Sequence, residues 1–329
     1  MFKEKGALIE MTMVQYGIHS KCNGNCKFCL IRDETVLSMD DIYGELERVR
    51  ENIRYIGSQK ENWTNKYKDG VSLLGGELYF IKDGKYKELL LKVIDVVIDE
   101  VLRKSPSDQV RFSTVTNGYY DPEWLLFPVA DKIVKTVGTE HLDVNFSFDL
   151  DYRFHNEEQK ERVLKTINEF HKRYDYRACV QMILTQNVID RILNEGWRPE
   201  TFAKKYFPGN QITFLYPHGV HRGNDFKGER DLPGFFFTRS SFLKAMRVLQ
   251  QEEPFLFESF VKSTRNSAIY KPTGLYFKGD SGWAEQLPIY SDGKEVVNKD
   301  CPMNHSKLYR CYVDSDKCML CDLEAINGK

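Results

Sequence analysis

Short apolar runs rich in β-branched and aromatic residues alternate along this chain with longer stretches whose apolar residues return every three or four positions. The first pattern predicts buried strands and the second amphipathic helices. Residues 11–18 form the first such run. Ser38 with Asp40 and Asp41 then marks a helix start, and Ile42, Leu46, Val49 and Ile53 follow at helical spacing. Residues 71–77 predict a second strand ending in Gly-Gly-Glu, with a helix over 86–104. Strands at 110–118, 141–149, 177–185 and 211–216 continue the series. Helices are predicted near 124–137, over 157–172 and within 188–206. This alternation predicts βαβ units: an α/β fold with a parallel sheet and helices outside it.

Gly, Asp, Lys and Pro cluster over 223–234, which suggests a boundary between one domain at 1–230 and a smaller one at 231–329. The second begins with a helix over 238–251, buried along Phe242, Ala245, Met246 and Leu249, and an aromatic-rich helix over 254–262. Short strands at 274–278 and 288–290 follow. The reading is α+β for this part.

The loop after the first strand carries Cys22, Cys26 and Cys29, spaced CxxxCxxC. Thiolates are soft ligands that select zinc, cuprous copper or iron-sulfur clusters. Structural zinc takes four protein ligands and a cubane cluster normally takes four Cys. Three thiols in one loop therefore imply an iron whose last position belongs to a small molecule. In β/α barrels, loops at the carboxyl ends of strands build the active site.

The spacing, with the aromatic Phe28 just before the third Cys, resembles the signature of the radical S-adenosylmethionine (radical SAM) superfamily. That resemblance implies a partial (β/α)6 TIM-like barrel of six units. It also implies a [4Fe-4S] cluster on Cys22, Cys26 and Cys29, whose open iron is chelated by SAM. One electron then cleaves SAM to a 5′-deoxyadenosyl radical that takes hydrogen from the substrate. Gly75, Gly76 and Glu77 match the family's GGE motif at the SAM amino group, where glycines let backbone approach a ligand closely. Thr116 and Asn117 match polar positions at the end of the third strand, and Ser147 and Asp149 those at the end of the fourth. For both pairs, helix capping or satisfaction of local backbone groups is an equal alternative. Phe28 falls near the adenine by analogy, or is simply core. The family's glycine-bearing adenine motif is not evident in the fifth and sixth strands.

Four further thiols, Cys301, Cys311, Cys318 and Cys321, close the chain. They suffice for one closed site, either a four-Cys cluster or tetrahedral zinc. Short strands over 308–313 and 317–320 around Asp-Ser-Asp make a hairpin that resembles the SPASM and twitch extensions of radical SAM enzymes. The match is partial and leaves room for one auxiliary [4Fe-4S] cluster. Cys179, inside the fifth strand, reads as a buried core thiol.

Composition narrows the partners. Lys and Arg number 47 against 48 Asp and Glu, a balance without the basic footprint of a nucleic-acid binder. The N-terminus lacks the apolar core of a signal peptide, no apolar run reaches membrane-spanning length, and cysteines in metal spacing suit a reducing compartment. A cytoplasmic enzyme is expected, reduced by a flavodoxin or ferredoxin and acting on a peptide or protein. Radical modification of a nucleotide, sugar or other small metabolite is the alternative, and a non-catalytic metal- or SAM-binding scaffold the alternative from another class. The catalytic base or hydrogen donor is not legible.

Overall fold

The computed structural model describes residues 13–24, 26, 28–29, 37–58, 70–104, 110–215, 232–235, 237–268, 275–277, 283–285 and 326. Six strands appear at the expected places: β1 (Met13–Gly17), β2 (Gly70–Leu74), β3 (Arg111–Thr116), β4 (Leu142–Ser147), β5 (Cys179–Ile183) and β6 (Gln211–Leu215). Between them lie α1 (Met39–Ser58), α2 (Gly84–Val97), α3 (Leu126–Val137), α4 (Glu157–Tyr174), α5 (Gln186–Asn194) and α6 (Pro199–Tyr206). Each strand pairs in parallel with the next, so spatial order equals chain order from β1 to β6. Every crossover therefore steps the same way, which is the winding of a β/α barrel halted after six units. All six carboxyl ends share one edge.

The helices start where the sequence can satisfy their free amides. Ser38 Oγ accepts from Asp41 N at 3.2 Å and donates to Asp41 Oδ2 at 2.6 Å, opening α1. Asp83 accepts from Tyr86 N at 2.7 Å and caps α2, Asn156 caps α4, and Thr185 caps α5. The expected stripe of Ile42, Leu46, Val49 and Ile53 is buried. Beyond α2 the helix widens over Ile98–Leu102, where Arg103 N donates to the Ile98 carbonyl five residues back. The strand and helix periods carried no sign of that turn.

The two faces of the sheet differ. Val14, Val71, Phe112 and Leu142 lie side by side in register, as do Tyr16, Leu73, Thr114 and Val144, and these rows are buried in the main core. The opposite face carries Ser72, Ser113 and Asp143 in one row, and Ser147, Gln181 and Thr213 in another. Ser113 donates to Asp143 at 2.8 Å and Gln181 to Asn145 at 3.3 Å. Strands of a closed apolar core do not present such rows; a face meant to meet polar groups does.

After β6, α7 (Arg239–Glu252) buries Phe242, Ala245, Met246 and Leu249 as expected, and α8 (Pro254–Ala268) follows. β7 (Leu275–Phe277) falls within the predicted 274–278 run and pairs in parallel with β1; β8 (Trp283–Glu285), which the sequence did not announce, pairs antiparallel with β7. The expected strand at 288–290, the hairpin over 308–320 and all four tail cysteines lie outside the described residues. Among the described residues no helix is long and apolar enough to cross a membrane.

Phe146, fully buried on β4, meets Phe170 of α4 edge to face at 5.6 Å and ties sheet to helix. Phe146→Ala is expected to cost about 3–5 kcal/mol in denaturant unfolding. A loss under about 1 kcal/mol would show that this contact does not hold the layers together.

Candidate functional site

The β1–β2 ladder runs on past its strands. Ile18 N donates to Leu74 O at 2.9 Å, Gly76 N to His19 O at 2.8 Å, and Glu77 N to Lys21 O at 2.9 Å. The start of the cysteine loop is thereby laid on the Gly75-Gly76-Glu77 turn. A Cβ at Gly76 would stand 2.3 Å from Lys21 O and 2.4 Å from Ser20 O, so only glycine fits. At Gly75 it would meet His19 O at 3.0 Å. The close approach expected of these glycines is, in the structure, an approach to the cysteine loop's own backbone. His19, three residues before Cys22, turns into the core, where its Nε2 lies 3.1 Å from Tyr86 Oη. Burial holds its pKa down at about 4, and it stands apart from the thiols as a neutral core imidazole.

Cys22 is exposed, Cys26 buried and Cys29 intermediate. Gly24 N donates to Cys22 Sγ at 3.2 Å, and Cys29 N donates to Cys26 O at 3.1 Å, which curls the loop. A Cβ at Gly24 would lie 3.4 Å from Cys22 Sγ and 3.6 Å from Cys26 Sγ, so both sulfurs border one small space that a side chain would fill. Cys22 keeps a solvent-facing edge in otherwise dense surroundings. That density, reinforced by Glu77, Cys26 and Cys29, pushes its thiol up to about 11. Burial also raises Cys26, while Arg153 pulls the other way.

Among the described residues no three Cys, His, Asp or Glu side chains close around a single ion. A cubane meets each thiolate with a separate iron, so its ligands stand farther apart than thiols around one zinc. Three soft donors on one loop, two of them bordering the same small space beside Gly24, fit such a cluster. Cys179 begins β5 at the opposite edge of the sheet, where burial pushes its thiol up to about 12.

The strand ends next door are tied into the loop. Glu77 is 1% exposed; its Oε2 accepts from Asn117 N at 2.6 Å, its Oε1 from Tyr79 N at 3.2 Å, and the Thr116 hydroxyl lies 2.9 Å from both oxygens. Burial pushes this carboxyl up to about 7 against the pull of those donors. Asn117 in turn donates to Asn23 Oδ1 at 2.8 Å and reaches Cys22 Sγ at 3.6 Å, and Asn23 donates to Tyr119 O. Ser147 closes β4, half-buried opposite Gln181.

Asp149, two residues on, is buried. Its Oδ1 accepts from Ile183 N at 2.6 Å and its Oδ2 from Arg153 Nε at 2.6 Å. Arg153 Nη1 reaches Cys26 Sγ at 3.5 Å, and its guanidinium lies over the Phe28 ring at 5.2 Å. Burial disfavours the arginine's charge, and Asp149 and Cys26 more than offset that. Phe28 stacks on Phe235 at 5.7 Å.

Two shallow recesses lie here. One is lined by Gly24, Cys26, Asn117, Tyr119, Arg153 and Phe154. The other lies among Phe28, Asp149, Tyr152, Ile183, Thr185 and Phe235. The structure thus gathers Cys22, Cys26, Cys29, Phe28, Gly75, Gly76, Glu77, Thr116, Asn117 and Asp149 in one region, with Ser147 at its margin. Arg153 was not anticipated. Its only signal was an Asp-to-Arg spacing of four, which reads equally as an ordinary surface pair.

Glu77 generates a stability prediction. A carboxyl raised from 4.5 to about 7 in the folded chain binds its proton more tightly there than when unfolded. Its contribution is full below the unfolded value and is lost as pH rises through about 7. In the metal-free chain, wild type should lose stability between pH 5 and 8 by on the order of 3 kcal/mol more than Glu77→Gln. Parallel pH profiles in denaturant melts would contradict this.

No protein-family model matches the chain, and no curated protein does. Solved structures with a similar course of chain include Streptococcus suis SuiB bound to S-adenosylmethionine, at 11% identity and a TM-score of 0.46 over 76% of this chain and 48% of SuiB. Native anSMEcpe with bound AdoMet is 14% identical, with a TM-score of 0.45 over 76% of this chain and 62% of that one. Its complex with AdoMet and the Cp18Cys peptide is also 14% identical, at 0.45, over 78% and 61%. The chain spans about half the length of SuiB and about three fifths of anSMEcpe.

Proposed function

We propose that this chain is a radical SAM enzyme in which Cys22, Cys26 and Cys29 hold a [4Fe-4S] cluster. The observation that carries this reading is the cysteine loop itself. It lies at the carboxyl edge of six parallel strands, with two sulfurs around the Gly24 cradle and each sulfur met by a donor from a neighbouring strand end. When bound, the cluster supplies the electron that cleaves SAM and so provides a hydrogen-abstracting radical.

The chain's own residues bind and orient. Gly75 and Gly76 seat the loop, and the backbone of their turn would help hold the ammonium group of SAM. Glu77 works from beneath, fixing Thr116 and Asn117 so that Asn117 stays against Cys22. Phe28, Ser147 and Asp149 would hold the adenosine side of SAM, and Phe28 packs with Ile183 and Phe235 into an apolar patch that would limit water there. The barrel occupies 1–230. Within 231–329, Cys301, Cys311, Cys318 and Cys321 hold an auxiliary cluster, with zinc as the alternative metal.

A one-electron donor of flavodoxin or ferredoxin type serves the enzyme in the cytoplasm. The substrate is a peptide or protein segment, a class the SPASM- and twitch-like tail suggests. A second reading, modification of a nucleotide, sugar or other small polar metabolite, is favoured by the polar rows on the second face of the sheet.

Anaerobic reconstitution of wild type and Cys26→Ala tests the assignment. The variant should lose about four irons per chain and all 5′-deoxyadenosine formation with dithionite and SAM, while the tail keeps its metal. Unchanged SAM cleavage in Cys26→Ala would remove the loop from the chemistry.

A further inference from the structure

Among the described residues, Arg153 is the cation drawn into the site whose role neither the strand-end pattern nor the loop motif accounts for. Its side chain is 14% exposed and that of its partner Asp149 6% exposed. A buried ion pair of this kind is a poor source of net stability, because desolvating two charges offsets most of their attraction. The pair is also more elaborate than a tie between neighbouring turns requires. Asp149 spends one oxygen on Ile183 N of β5 and the other on Arg153 Nε, which fixes the guanidinium plane. The plane is held further by the face of Phe28. Of the two terminal nitrogens, Nη1 reaches Cys26 Sγ at 3.5 Å on the border of the recess shared by Gly24 and Asn117.

We propose that Arg153 is a positioning residue for Cys26 that also makes the cluster of the cysteine loop easier to reduce. The inference rests on the radical SAM reading. A thiolate at Cys26 turns the Nη1 contact into a charge-assisted hydrogen bond, stronger than the contact to a neutral thiol. Hydrogen bonds to ligand sulfurs and nearby positive charge favour the more negative, reduced cluster and raise its potential. Arg suits the place because its guanidinium stays charged when buried and its fork serves carboxylate and sulfur at once. Asn117 provides the neutral counterpart on Cys22, at 3.6 Å.

The test is an EPR-monitored redox titration of anaerobically reconstituted wild type, Arg153→Lys and Arg153→Gln, with iron counts and circular dichroism of the metal-free proteins. Arg153→Gln should lower the reduced-to-oxidised ratio at a fixed applied potential about tenfold, a downward shift of about 59 mV for one electron. Arg153→Lys should recover part of that, since it restores charge without the fork. Asp149→Asn with Arg153→Gln removes the whole buried pair and leaves the local net charge unchanged. If the single variant is too unstable to titrate, it should still show a downward shift, smaller than tenfold in the ratio, from the lost hydrogen bond to Cys26. Folded metal-free variants that no longer retain the cluster would equally support a hold on Cys26.

An unchanged potential in variants that keep their iron would overturn the proposal. So would unfolding of both variants, which would make the pair a structural tie. Failure of wild type to take up a cluster on the Cys22 loop would instead overturn the radical SAM reading, and is told apart by the wild-type iron count alone.

Discussion

The hydrogen bond from Gly76 N to His19 O, at 2.8 Å, is the contact on which the site depends. It extends the β1–β2 ladder beyond both strands and sets the height at which the cysteine loop leaves the sheet. Any side chain at position 76 would drive Lys21 and Ser20 away. Backbone pairing is a rigid reference, whereas a loop held by side chains alone would let three thiols wander. From this fixed start, Gly24 N and Cys29 N turn the chain so that the sulfurs of Cys22 and Cys26 come to one cradle.

Beneath that loop the molecule carries polar groups that a core would ordinarily exclude. Glu77 is buried among Thr116, Tyr79 and Tyr120, and Asp149 with Arg153 forms a second polar knot one strand over. An unpartnered buried carboxylate would cost several kcal/mol, and each of these is satisfied by backbone amides as well as side chains. Glu77 holds the end of β3 and Asp149 holds the end of β5. The strand ends are therefore cross-braced on the side facing the thiols. Each brace ends in a donor on a sulfur, Asn117 on Cys22 and Arg153 on Cys26.

Much of the scaffold was legible because strand and helix periods differ so clearly. β4 alternates buried Leu142, Val144 and Phe146 with less buried Asp143, Asn145 and Ser147, and α1 buries the very stripe its spacing predicts. The place of the cysteine loop, after the first strand and before the first helix, was legible from the strand and helix patterns on either side, whereas its chemistry was read from a family resemblance rather than from spacing alone. Other features depend on partners distant in sequence. Glu77 stood out only as the end of a Gly-Gly-Glu motif, and its partners Thr116 and Asn117, 39 and 40 residues away, were not legible from it. Arg153 meets Cys26 across 127 residues, a contact no local pattern encodes. The widened turn at Ile98–Leu102 keeps the apolar rhythm of a helix and so left no mark.

The central claim is that the loop thiols hold a cluster with one iron free for SAM, and its most direct test is the EPR spectrum of the dithionite-reduced protein with and without SAM. The account predicts a reduced-cluster signal from the Cys22 loop whose g-values change when SAM is added, because a ligand joins an open iron. A signal indifferent to SAM, or no cluster and zinc alone, would contradict it.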